Sequence, residues 1–578
     1  MIKRLFEVPM MVGTSGHPAR SDFLYFSNET GIPLLYHWDP ARQETRLLTP
    51  GTEPIMSKTC LHPTEPRAIF LKDSGGNMDF ALYQVDFEGN QERLMPGTLG
   101  FVLHLYWATD GDWLLGGHDH GQAYLRRLSP DGTLRDLFTS EKQIMTSAYD
   151  PQRELLVASV GRGAGTRLVL VDAREGWVRE WVSESDSSED ILPALQVDKG
   201  YLAYVTDAPG THQELVVRAT EGLAELLRVP VPGELDWMVG ELLWVDEVTL
   251  FAVMAKAGQL SAHFLDIRTG RWSEPVTEGS VFNPAITRDG LVWVNTGFAQ
   301  VPRIQSYRDG KVVELFAVSS VLPIELSVES HWYPSFDGRM VQGWLIRSQN
   351  PHAPLVVYGH GGPTVMTGNW WDPMMLAPVL AGYHLFAPNF RGSTSFGAEF
   401  RDLNIGDLGG GDLQDVLYGA RSVSALLGLE SKPAILGASY GGYLTLQALT
   451  TQPDAWAGGV AIVAPVDWAQ DYELSGAHYR SWLLHFFGGT PEEKPELYRE
   501  RSPRTYVEQL AAPVLILHGE NDAICPIEPV KEFAAEAARL GLPARLLITE
   551  DEGHGALQNA NAIRECVQML EHLRTLFD

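Results

Sequence analysis

The chain of 578 residues is too long for one ordinary domain of about 100–200 residues, so we expect two or more domains. Hydrophobic residues make up 44% and charged residues 20%, which is enough apolar material for a sizeable core and excludes a disordered chain. The formal net charge of −29 repels phosphate groups, which argues against nucleic acids and anionic membranes as partners.

The cysteines and the N-terminus indicate the compartment. Cys60, Cys525 and Cys566 are an odd and widely spaced set, which forms neither a disulfide framework nor a zinc site. Free thiols are typical of a reducing compartment. The N-terminus has neither the apolar stretch nor the cleavage site of a signal peptide, and no apolar run approaches the ~18 residues of a membrane span. We therefore expect a cytoplasmic protein.

The first half of the chain consists of short strands separated by turns, in seven similar units with a period of about 40 residues. In the first unit, Phe23-Leu-Tyr-Phe-Ser precedes Leu34-Leu-Tyr-His-Trp-Asp. This period is typical of propeller blades, and stacked blades bury the faces that one sheet leaves open. We predict an N-terminal extension over residues 1–20 and a seven-bladed β-propeller over 21–322. A pair of β-sandwiches is the alternative.

The pattern changes after residue 322, where apolar, β-rich runs alternate with helical stretches. Such runs are typical of a parallel sheet that is covered by helices on both faces. We therefore predict an α/β domain over residues 323–578. The runs begin at Leu355, Leu385, Ala434, Val460, Val514 and Leu546.

A candidate nucleophile lies in this second half. Gly437-Ala438-Ser439-Tyr440-Gly441 matches Gly-x-Ser-x-Gly, a pattern that this composition produces by chance about one time in three. The context makes it specific, because the motif follows the strand at Ala434 and precedes a helical stretch over 443–449. This is the setting of the nucleophile elbow of an α/β-hydrolase fold, which holds the serine hydroxyl at the C-terminal edge of the sheet.

A serine hydroxyl needs a base, and the base needs an orienting carboxylate. In this fold the chain order is serine, acid, histidine. Asp522 follows the strand at Val514, 83 residues after Ser439, and His554 follows the strand at Leu546, 32 residues later. Both loops lie at the same edge of the predicted sheet. We therefore predict a catalytic triad of Ser439, Asp522 and His554.

Other residues compete for these roles and fit less well. His360 and His518 break the chain order, whereas His478 and His485 lie in a helical stretch between serine and acid. Asp522 is preferred as the acid because it lies in a tight turn, and because the acids next to His554 are too close to it in sequence. The competing residues for the acid are Glu520, Asn521, Asp551 and Glu552.

An acyl-transfer site also needs donors for the oxyanion. His360-Gly361-Gly362-Pro363 follows the strand at Leu355, and adjacent glycines expose backbone N–H groups. Alone, this stretch fits an ordinary Gly-Gly turn equally well. Beside the triad, we predict that the N–H groups of Gly362 and Tyr440 form the oxyanion hole.

A substrate pocket and a metal site are the remaining questions. One helix face carries Tyr479, Trp482, Leu483 and Phe486, with Trp468 just upstream, and core packing and a large apolar S1 pocket fit this stripe equally well. The stretch His118-Asp119-His120 has no third ligand nearby, so we interpret it as a solvated loop. No nucleotide-binding fingerprint is present, and we predict no cofactor and no metal.

Together these motifs resemble the prolyl oligopeptidase family of serine peptidases, most closely its acylaminoacyl-peptidase branch, over essentially the whole chain. His-Gly-Gly-Pro marks that branch, and Gly362 looks like the counterpart of a tyrosine donor in the prolyl endopeptidases. The resemblance implies cleavage of short peptides, a propeller that screens out folded proteins, and a structural rather than catalytic Arg391. The matching stretches begin at His360, Asn389, Gly411, Gly437, His518 and Glu552.

The chain departs from the family at two points. Many members have an arginine two residues after the catalytic aspartate, where this chain has Ile524, and many have an N-terminal helix that is short or absent here. We expect a serine peptidase that releases N-acylated amino acids from short peptides, prefers an apolar P1 residue and also cleaves esters. The alternatives are a dipeptidyl peptidase, a carboxypeptidase, a carboxylesterase or a non-enzymatic propeller scaffold. We also expect a homo-oligomer, a dimer or larger.

Overall fold

Seven four-stranded antiparallel sheets precede one eight-stranded mixed sheet in the computed structural model of the chain. The structure describes residues 2–578 except 56–57, 74–75, 120, 208–211, 237–239, 277 and 318–324.

Four strands that are consecutive in the chain form each of the seven small sheets, and each sheet is one blade of a propeller. In chain order the blade strands are β1 (Met11–Ser15), β2 (Phe23–Ser27), β3 (Leu34–Asp39), β4 (Glu44–Leu47); β5 (Thr59–Leu61), β6 (Arg67–Lys72), β7 (Ala81–Asp86), β8 (Gln91–Arg93); β9 (Phe101–Trp107), β10 (Trp113–Asp119), β11 (Gln122–Leu128), β12 (Leu134–Ser140); β13 (Ile144–Asp150), β14 (Leu155–Val160), β15 (Arg167–Asp172), β16 (Val178–Val182); β17 (Glu189–Gln196), β18 (Tyr201–Asp207), β19 (Glu214–Ala219), β20 (Glu225–Pro230); β21 (Glu241–Trp244), β22 (Thr249–Lys256), β23 (Gln259–Asp266), β24 (Arg271–Trp272); β25 (Ser280–Thr287), β26 (Gly290–Gly297), β27 (Gln300–Arg308) and β28 (Lys311–Ala317).

Burial explains why the blades stack. The second strand of blade 1, β2, is buried along its whole length, whereas its outermost strand β4 is mostly exposed. The apolar side chains lie between neighbouring blades: Leu24 of blade 1 belongs to one cluster with Val294 and Ile304 of blade 7. Each sheet therefore buries both faces against its neighbours. The predicted seven-bladed propeller is confirmed.

The first and last blades contact each other and close the ring. The Gly13 N–H donates a hydrogen bond to Asn283 Oδ1 (3.1 Å), and the Arg288 N–H donates one to Arg20 O (2.6 Å). Strand β1, which pairs with β2, lies within the stretch that the sequence analysis assigned to an extension over residues 1–20. The predicted boundary at residues 322–323 lies outside the described residues, so these domain limits stay predictions.

The large sheet has the strand order β29-β30-β32-β31-β33-β34-β35-β36. Its first two strands are antiparallel and the remaining six are parallel, as the sequence pattern predicted for the latter. The strands are β29 (Ser327–Pro334), β30 (Met340–Arg347), β31 (Leu355–Gly359), β32 (His384–Asn389), β33 (Ala434–Ala438), β34 (Gly458–Ile462), β35 (Val514–Gly519) and β36 (Ala544–Thr549).

Helices cover both faces of this sheet. Leu355 and Val357 of β31 belong to one core, and Val356 belongs to the other, because successive strand residues point to opposite faces. The predicted α/β-hydrolase fold is confirmed. The helices are α1 (Ile2–Glu7), α2 (Pro373–Leu380), α3 (Ala398–Arg401), α4 (Gly411–Leu427), α5 (Tyr440–Thr451), α6 (Trp468–Leu474), α7 (Ala477–Phe487), α8 (Pro495–Glu500), α9 (Ile527–Arg539) and α10 (Asn559–Phe577), with 3-10 turns at Asp402–Asn404, Pro453–Ala455 and Pro503–Gln509.

The N-terminal helix α1 has only six residues and packs on the hydrolase domain. Leu5 and Phe6 are buried in the same core as Met375 of α2 and Met569 of α10. The side-chain amide of Asn559 donates to Phe6 O (3.1 Å). Helix α1 therefore packs on the second domain, although it precedes the first blade in the chain. Among the described residues, we find no helix with the length and apolar character that crossing a membrane requires.

Candidate active site

Ser439 occupies a sharp turn between strand β33 and helix α5. Its φ of 56° and ψ of −119° are rarely adopted by a residue with a side chain. The Ser439 N–H donates to Ile462 O of β34 (2.8 Å), which ties the turn to the neighbouring strand. The strained turn presents the hydroxyl at the C-terminal edge of the sheet, as the elbow motif predicted.

The glycines of the elbow are required by close backbone approach. A Cβ added to Gly437 would lie 2.4 Å from the carbonyl group of Gly441, and one added to Gly441 would lie 1.9 Å from Gly359 O. Both distances are far below van der Waals contact. Only glycine at these two positions lets the first turn of α5 pack against the end of β31.

Histidine and carboxylate side chains meet the serine at this edge. His554 Nε2 lies 2.9 Å from Ser439 Oγ, and His554 Nδ1 lies 2.8 Å from Asp522 Oδ2. Asp522 Oδ1 accepts the N–H groups of Ile524 (2.9 Å) and Cys525 (2.8 Å). The Asp522 side chain is fully buried, whereas that of His554 is 21% exposed. The carboxylate is therefore fixed and shielded, and the imidazole is open to the cavity.

His518 supports the acid, a role that the sequence analysis did not find. Its Nε2 lies 2.9 Å from Cys525 O and 3.5 Å from Asp522 Oδ2. Burial lowers the pKa of His518, so the ring is neutral at physiological pH. The sequence did carry a signal for this role, because His518 lies on β35 directly before the loop that holds Asp522. The chain order only excluded His518 as the base and did not indicate a supporting role.

The other rejected histidines lie elsewhere. His360 Nε2 lies 2.8 Å from Ser393 Oγ, and its ring stacks on Phe390. Burial lowers the pKa of His360 to about 4. His478 and His485 belong to helix α7, and burial lowers the pKa of His485 to about 4.

Gly362 and Tyr440 flank the serine at the positions predicted for the oxyanion hole. Gly362 follows β31, and Tyr440 is the first residue of α5, where a backbone N–H has no acceptor within the helix. Both residues line one cavity with Ser439 and His554. The Tyr440 hydroxyl donates to Asp412, and burial raises the pKa of that carboxyl to about 7. This contact anchors the side chain of Tyr440 away from the cavity.

The cavity has a volume of about 880 Å³ and lies between the two domains. The hydrolase domain contributes Gly362, Thr364, Val365, Ser439, Tyr440, Pro465, Trp468, Leu474, Gly476, Tyr479, Trp482, Ala523, Ile524 and His554. The propeller contributes Asn77, Met78, Asp79, Thr98, Gly100, Phe101, Leu103, His118, Asp119, Met145 and Arg162.

Three of the five predicted pocket residues line this cavity, and two do not. Trp468, Tyr479 and Trp482 form its aromatic wall, with the last two rings stacked 5.3 Å apart. Leu483 and Phe486 are buried in the core of the hydrolase domain instead. Leu483 is turned about 100° from Trp482 around the helix, and Phe486 lies one turn further along, beyond the cavity.

The stretch predicted as a solvated loop is placed differently. His118 and Asp119 end strand β10 and line the cavity, and His118 is buried, so the loop interpretation is wrong for them. Burial lowers the pKa of His118 to about 4. The third residue of that stretch, His120, lies outside the described residues.

One group of possible metal-ligating atoms coincides with the candidate triad. Asp522, Cys525 and His554 each offer an atom within 4.8 Å of the others. The carboxylate and imidazole atoms of this group are already used in the hydrogen bonds described above, and burial raises the pKa of the Cys525 thiol. The set therefore fits the hydrogen-bonded triad better than a metal centre.

Arg391 makes structural contacts. Its Nε and Nη2 lie 2.8 Å from the two carboxylate oxygens of the fully buried Asp415, and its Nη2 also reaches Asp337 (3.2 Å). The guanidinium thus joins the loop after β32 to α4 and to the β29–β30 turn. This agrees with the structural role that the family resemblance implied.

The eight-stranded sheet, the strained serine elbow and the Ser439–His554–Asp522 hydrogen bonds define a hydrolase of the α/β class. Residues 371–578 match the model of the prolyl oligopeptidase family. The second domain is therefore similar to this family, and the chain is a serine peptidase.

The chain is also similar to a curated relative, and its fold is similar to that of solved structures. Dipeptidyl aminopeptidase BIII of Pseudoxanthomonas mexicana is 26% identical over 545 residues, which cover 85% of this chain and 76% of the relative. A crystal structure of puromycin hydrolase superposes with a TM-score of 0.86 at 18% identity, covering 100% of this chain and 96% of the other. Pyrococcus horikoshii acylaminoacyl peptidase gives 0.73 at 16% identity, with 99% and 97% covered. The structural likeness extends over both domains.

Proposed function

We propose that this serine peptidase cleaves short peptides through an acyl-enzyme on Ser439, with His554 as general base and Asp522 as its orienting acid, and releases N-acylated amino acids. The observation that carries the mechanism is the pair of hydrogen bonds of His554, 2.9 Å to Ser439 Oγ and 2.8 Å to Asp522 Oδ2. Both distances suit proton transfer without rearrangement.

In the first step, His554 Nε2 takes the hydroxyl proton while Ser439 Oγ attacks the scissile carbonyl carbon. The N–H groups of Gly362 and Tyr440 stabilise the oxyanion that forms. The imidazolium then protonates the leaving amine, and the acyl-enzyme remains. A water molecule, deprotonated by His554, hydrolyses the ester and restores the serine.

The location of the cavity supports a short substrate. Residues of the propeller form one wall and residues of the hydrolase domain form the other, and the volume is about 880 Å³. A few peptide residues fill such a space, whereas a folded domain does not. The rings of Trp468, Tyr479 and Trp482 favour an apolar group at P1, because burying apolar surface releases ordered water.

The way in which the substrate is anchored decides between peptidase subclasses. Ile524 lines the cavity at the position where many members of the family carry an arginine. An uncharged group therefore faces the acyl side of the substrate from the hydrolase domain, which suits an acylated N-terminus.

A second candidate is dipeptidyl-peptidase activity. The observation in its favour is the carboxylate of Asp79 on the propeller wall of the same cavity, which can attract a free α-amino group. Asp119 lies on the same wall, where its carboxylate pairs with Arg126 (3.0 Å). The relative from Pseudoxanthomonas mexicana is also named a dipeptidyl aminopeptidase. Arg162 on that wall is the corresponding cation for a carboxypeptidase.

Matched substrates separate these possibilities. We would measure kcat/KM for the acetyl-Phe, H-Gly-Phe and acetyl-Gly-Phe amides of one fluorogenic amine, for a Phe ester, and for a peptide with a free C-terminal carboxylate. Comparing these values shows which substrate terminus the enzyme requires. A preference for acetyl-Phe supports the proposal, and a preference for H-Gly-Phe supports the second candidate. Cleavage of the ester alone contradicts both.

The cytoplasmic location of the protein and its assembly into a homo-oligomer stay predictions.

A further inference from the structure

A buried acid that the mechanism does not use lies on helix α6. Asp471 has 1% of its surface exposed. It is three residues after Trp468 and three before Leu474, and both of these residues line the catalytic cavity. Residues three apart are neighbours on a helix face, so Asp471 lies behind the same wall, between the two lining residues.

The charged and polar groups near Asp471 agree with this location. Its carboxyl interacts electrostatically with the side chains of Tyr479, Cys525 and Asp522. Tyr479 lines the cavity from helix α7, while Asp522 and Cys525 belong to the loop that holds the candidate acid. Asp471 is therefore buried close to three segments that border the aromatic pocket beside Ser439.

Within the described part of the chain, one oxygen of this carboxyl has no structural contact. Among the described residues, Oδ2 of Asp471 is buried without a hydrogen-bond partner. Asp467, at the N-terminus of the same helix, provides the contrast: its side chain caps the helix by accepting the N–H groups of Ala469 (3.2 Å) and Gln470 (3.3 Å). Burial raises the pKa of Asp471 well above its usual range. A buried polar atom with no partner in a native structure calls for an explanation, and a ligand is one.

We propose that Asp471 is a specificity-determining residue at the inner end of the S1 pocket, and that it binds the cationic end of a lysine or arginine P1 side chain. The inference rests on the proposed function, because it needs Ser439 to cleave after the residue held in this pocket. It adds basic residues to the apolar ones that the aromatic wall accepts.

The pocket suits such a side chain in two ways. The stacked rings of Tyr479 and Trp482 (5.3 Å apart, planes at 4°) can cover the aliphatic stem of a lysine. Their π-faces also attract a cation. At the end of the stem, the ammonium or guanidinium group meets the carboxyl, which releases its proton to solvent and becomes the counter-ion. The peptide-bond chemistry is unchanged.

The test compares substrates that differ only at P1. The wild type, Asp471→Asn and Asp471→Leu are each assayed on acetyl-Xaa and H-Gly-Xaa amides of one fluorogenic amine. Xaa is lysine, arginine or norleucine. Norleucine has the stem of lysine without the cation. Equal labelling of Ser439 by a fluorophosphonate probe confirms that each variant is folded at the site, and Asp467→Asn is the matched control on the same helix.

We expect the wild type to cleave after lysine and arginine, and both Asp471 variants to lose about 30-fold or more in kcat/KM on those substrates while norleucine changes less than about threefold. Asp467→Asn leaves the lysine-to-norleucine ratio unchanged. A second measurement uses only the wild type. Benzylamine, which carries a cation, should inhibit cleavage of the norleucine substrates more strongly than the uncharged benzyl alcohol does.

Two failures are distinguishable. Cleavage after norleucine with no cleavage after lysine, or a lysine-to-norleucine ratio that the Asp471 variants do not change, overturns the role of Asp471 and leaves the proposed function in place. If the wild type cleaves none of these peptides although the probe labels Ser439, the proposed function fails and the role of Asp471 fails with it.

Discussion

Arg401 of the hydrolase domain forms an ion pair with Glu189 of the propeller, with 2.8 Å between Nη2 and Oε2. Both side chains are about 95% buried. Arg401 also contacts Asp236 of the propeller (3.7 Å between Nη1 and Oδ2) and the adjacent Asp402 (2.8 Å between Nε and Oδ1). The two domains are therefore joined beside the catalytic cavity by a buried cation among three carboxylates.

Arg401→Met tests the contribution of this pair. Removing one partner of a buried ion pair leaves an uncompensated charge, which typically costs about 3–5 kcal/mol. We expect a lower melting temperature in differential scanning fluorimetry and a faster proteolytic cleavage between the domains.

The control is Arg167→Met. Arg167 and Asp186 form a pair of the same 2.8 Å length, but their side chains are 45% and 99% exposed. Exposed pairs contribute about 0–1 kcal/mol, so this variant should melt like the wild type. Equal melting temperatures for both variants would show that the interdomain pair adds nothing to stability.

The candidate triad predicts a specific pattern of activity loss. Ser439→Ala removes the nucleophile, His554→Ala removes the base, and Asp522→Asn leaves the imidazole without its anion. Each should lower kcat by about 10⁴-fold or more. His352→Ala, at an exposed histidine of the same domain, should keep full activity. Full activity in His554→Ala would exclude this histidine as the base.

The sequence allowed both domains and the candidate triad to be predicted, because each of these features has a local signal. The blade strands repeat at one period, and Ser439, Asp522 and His554 each follow an apolar strand. Strands β29 and β30 were missed, since they are an antiparallel edge pair outside the βα alternation.

The environments of His518 and Asp471 could not be predicted. Their burial arises when three segments that are distant in the chain close around them, and a sequence pattern carries no information on that enclosure. The prediction that all apolar residues of the helix face at 479–486 line the pocket was wrong for a related reason. Periodicity identifies an apolar face, but it does not say which of its residues contact the core and which line a cavity.

The elbow glycines give a prediction about backbone packing. Gly441→Ala introduces a Cβ 1.9 Å from Gly359 O, and both atoms belong to backbone that cannot move independently. We expect a destabilisation of about 3 kcal/mol or more and loss of fluorophosphonate labelling, because the turn that presents Ser439 must open. Gly51→Ala, where no atom lies within 4 Å of the added Cβ, should be neutral in both measurements. A stable and fully labelled Gly441→Ala protein would contradict the backbone contact.

The interface between the domains also predicts a pH dependence of stability. Glu234 of the propeller accepts the Gly397 N–H of the hydrolase domain (2.9 Å), and burial together with Asp236 raises its pKa from 4.5 to about 7. When folding raises the pKa of an acid, its contribution to stability is fully present at a pH below the pKa of the unfolded state. This contribution is lost as the pH rises through the pKa of the folded state. Stability should therefore fall between pH 5 and about 8, by up to about 3 kcal/mol from this group. Asp207, with a pKa raised by burial to about 6, acts in the same direction, whereas Arg401 opposes both shifts.

Glu234→Gln removes the ionisation and keeps an oxygen that can accept the Gly397 N–H. We expect its melting temperature to change less between pH 5 and 8 than that of the wild type, and to exceed it at pH 8, because a neutral amide needs no desolvation of charge. Glu221→Gln, at an exposed glutamate in the turn between β19 and β20, should follow the wild-type curve. Parallel curves for the wild type and Glu234→Gln would show that Glu234 does not ionise in this range, and the stability of the interface would then be independent of its charge.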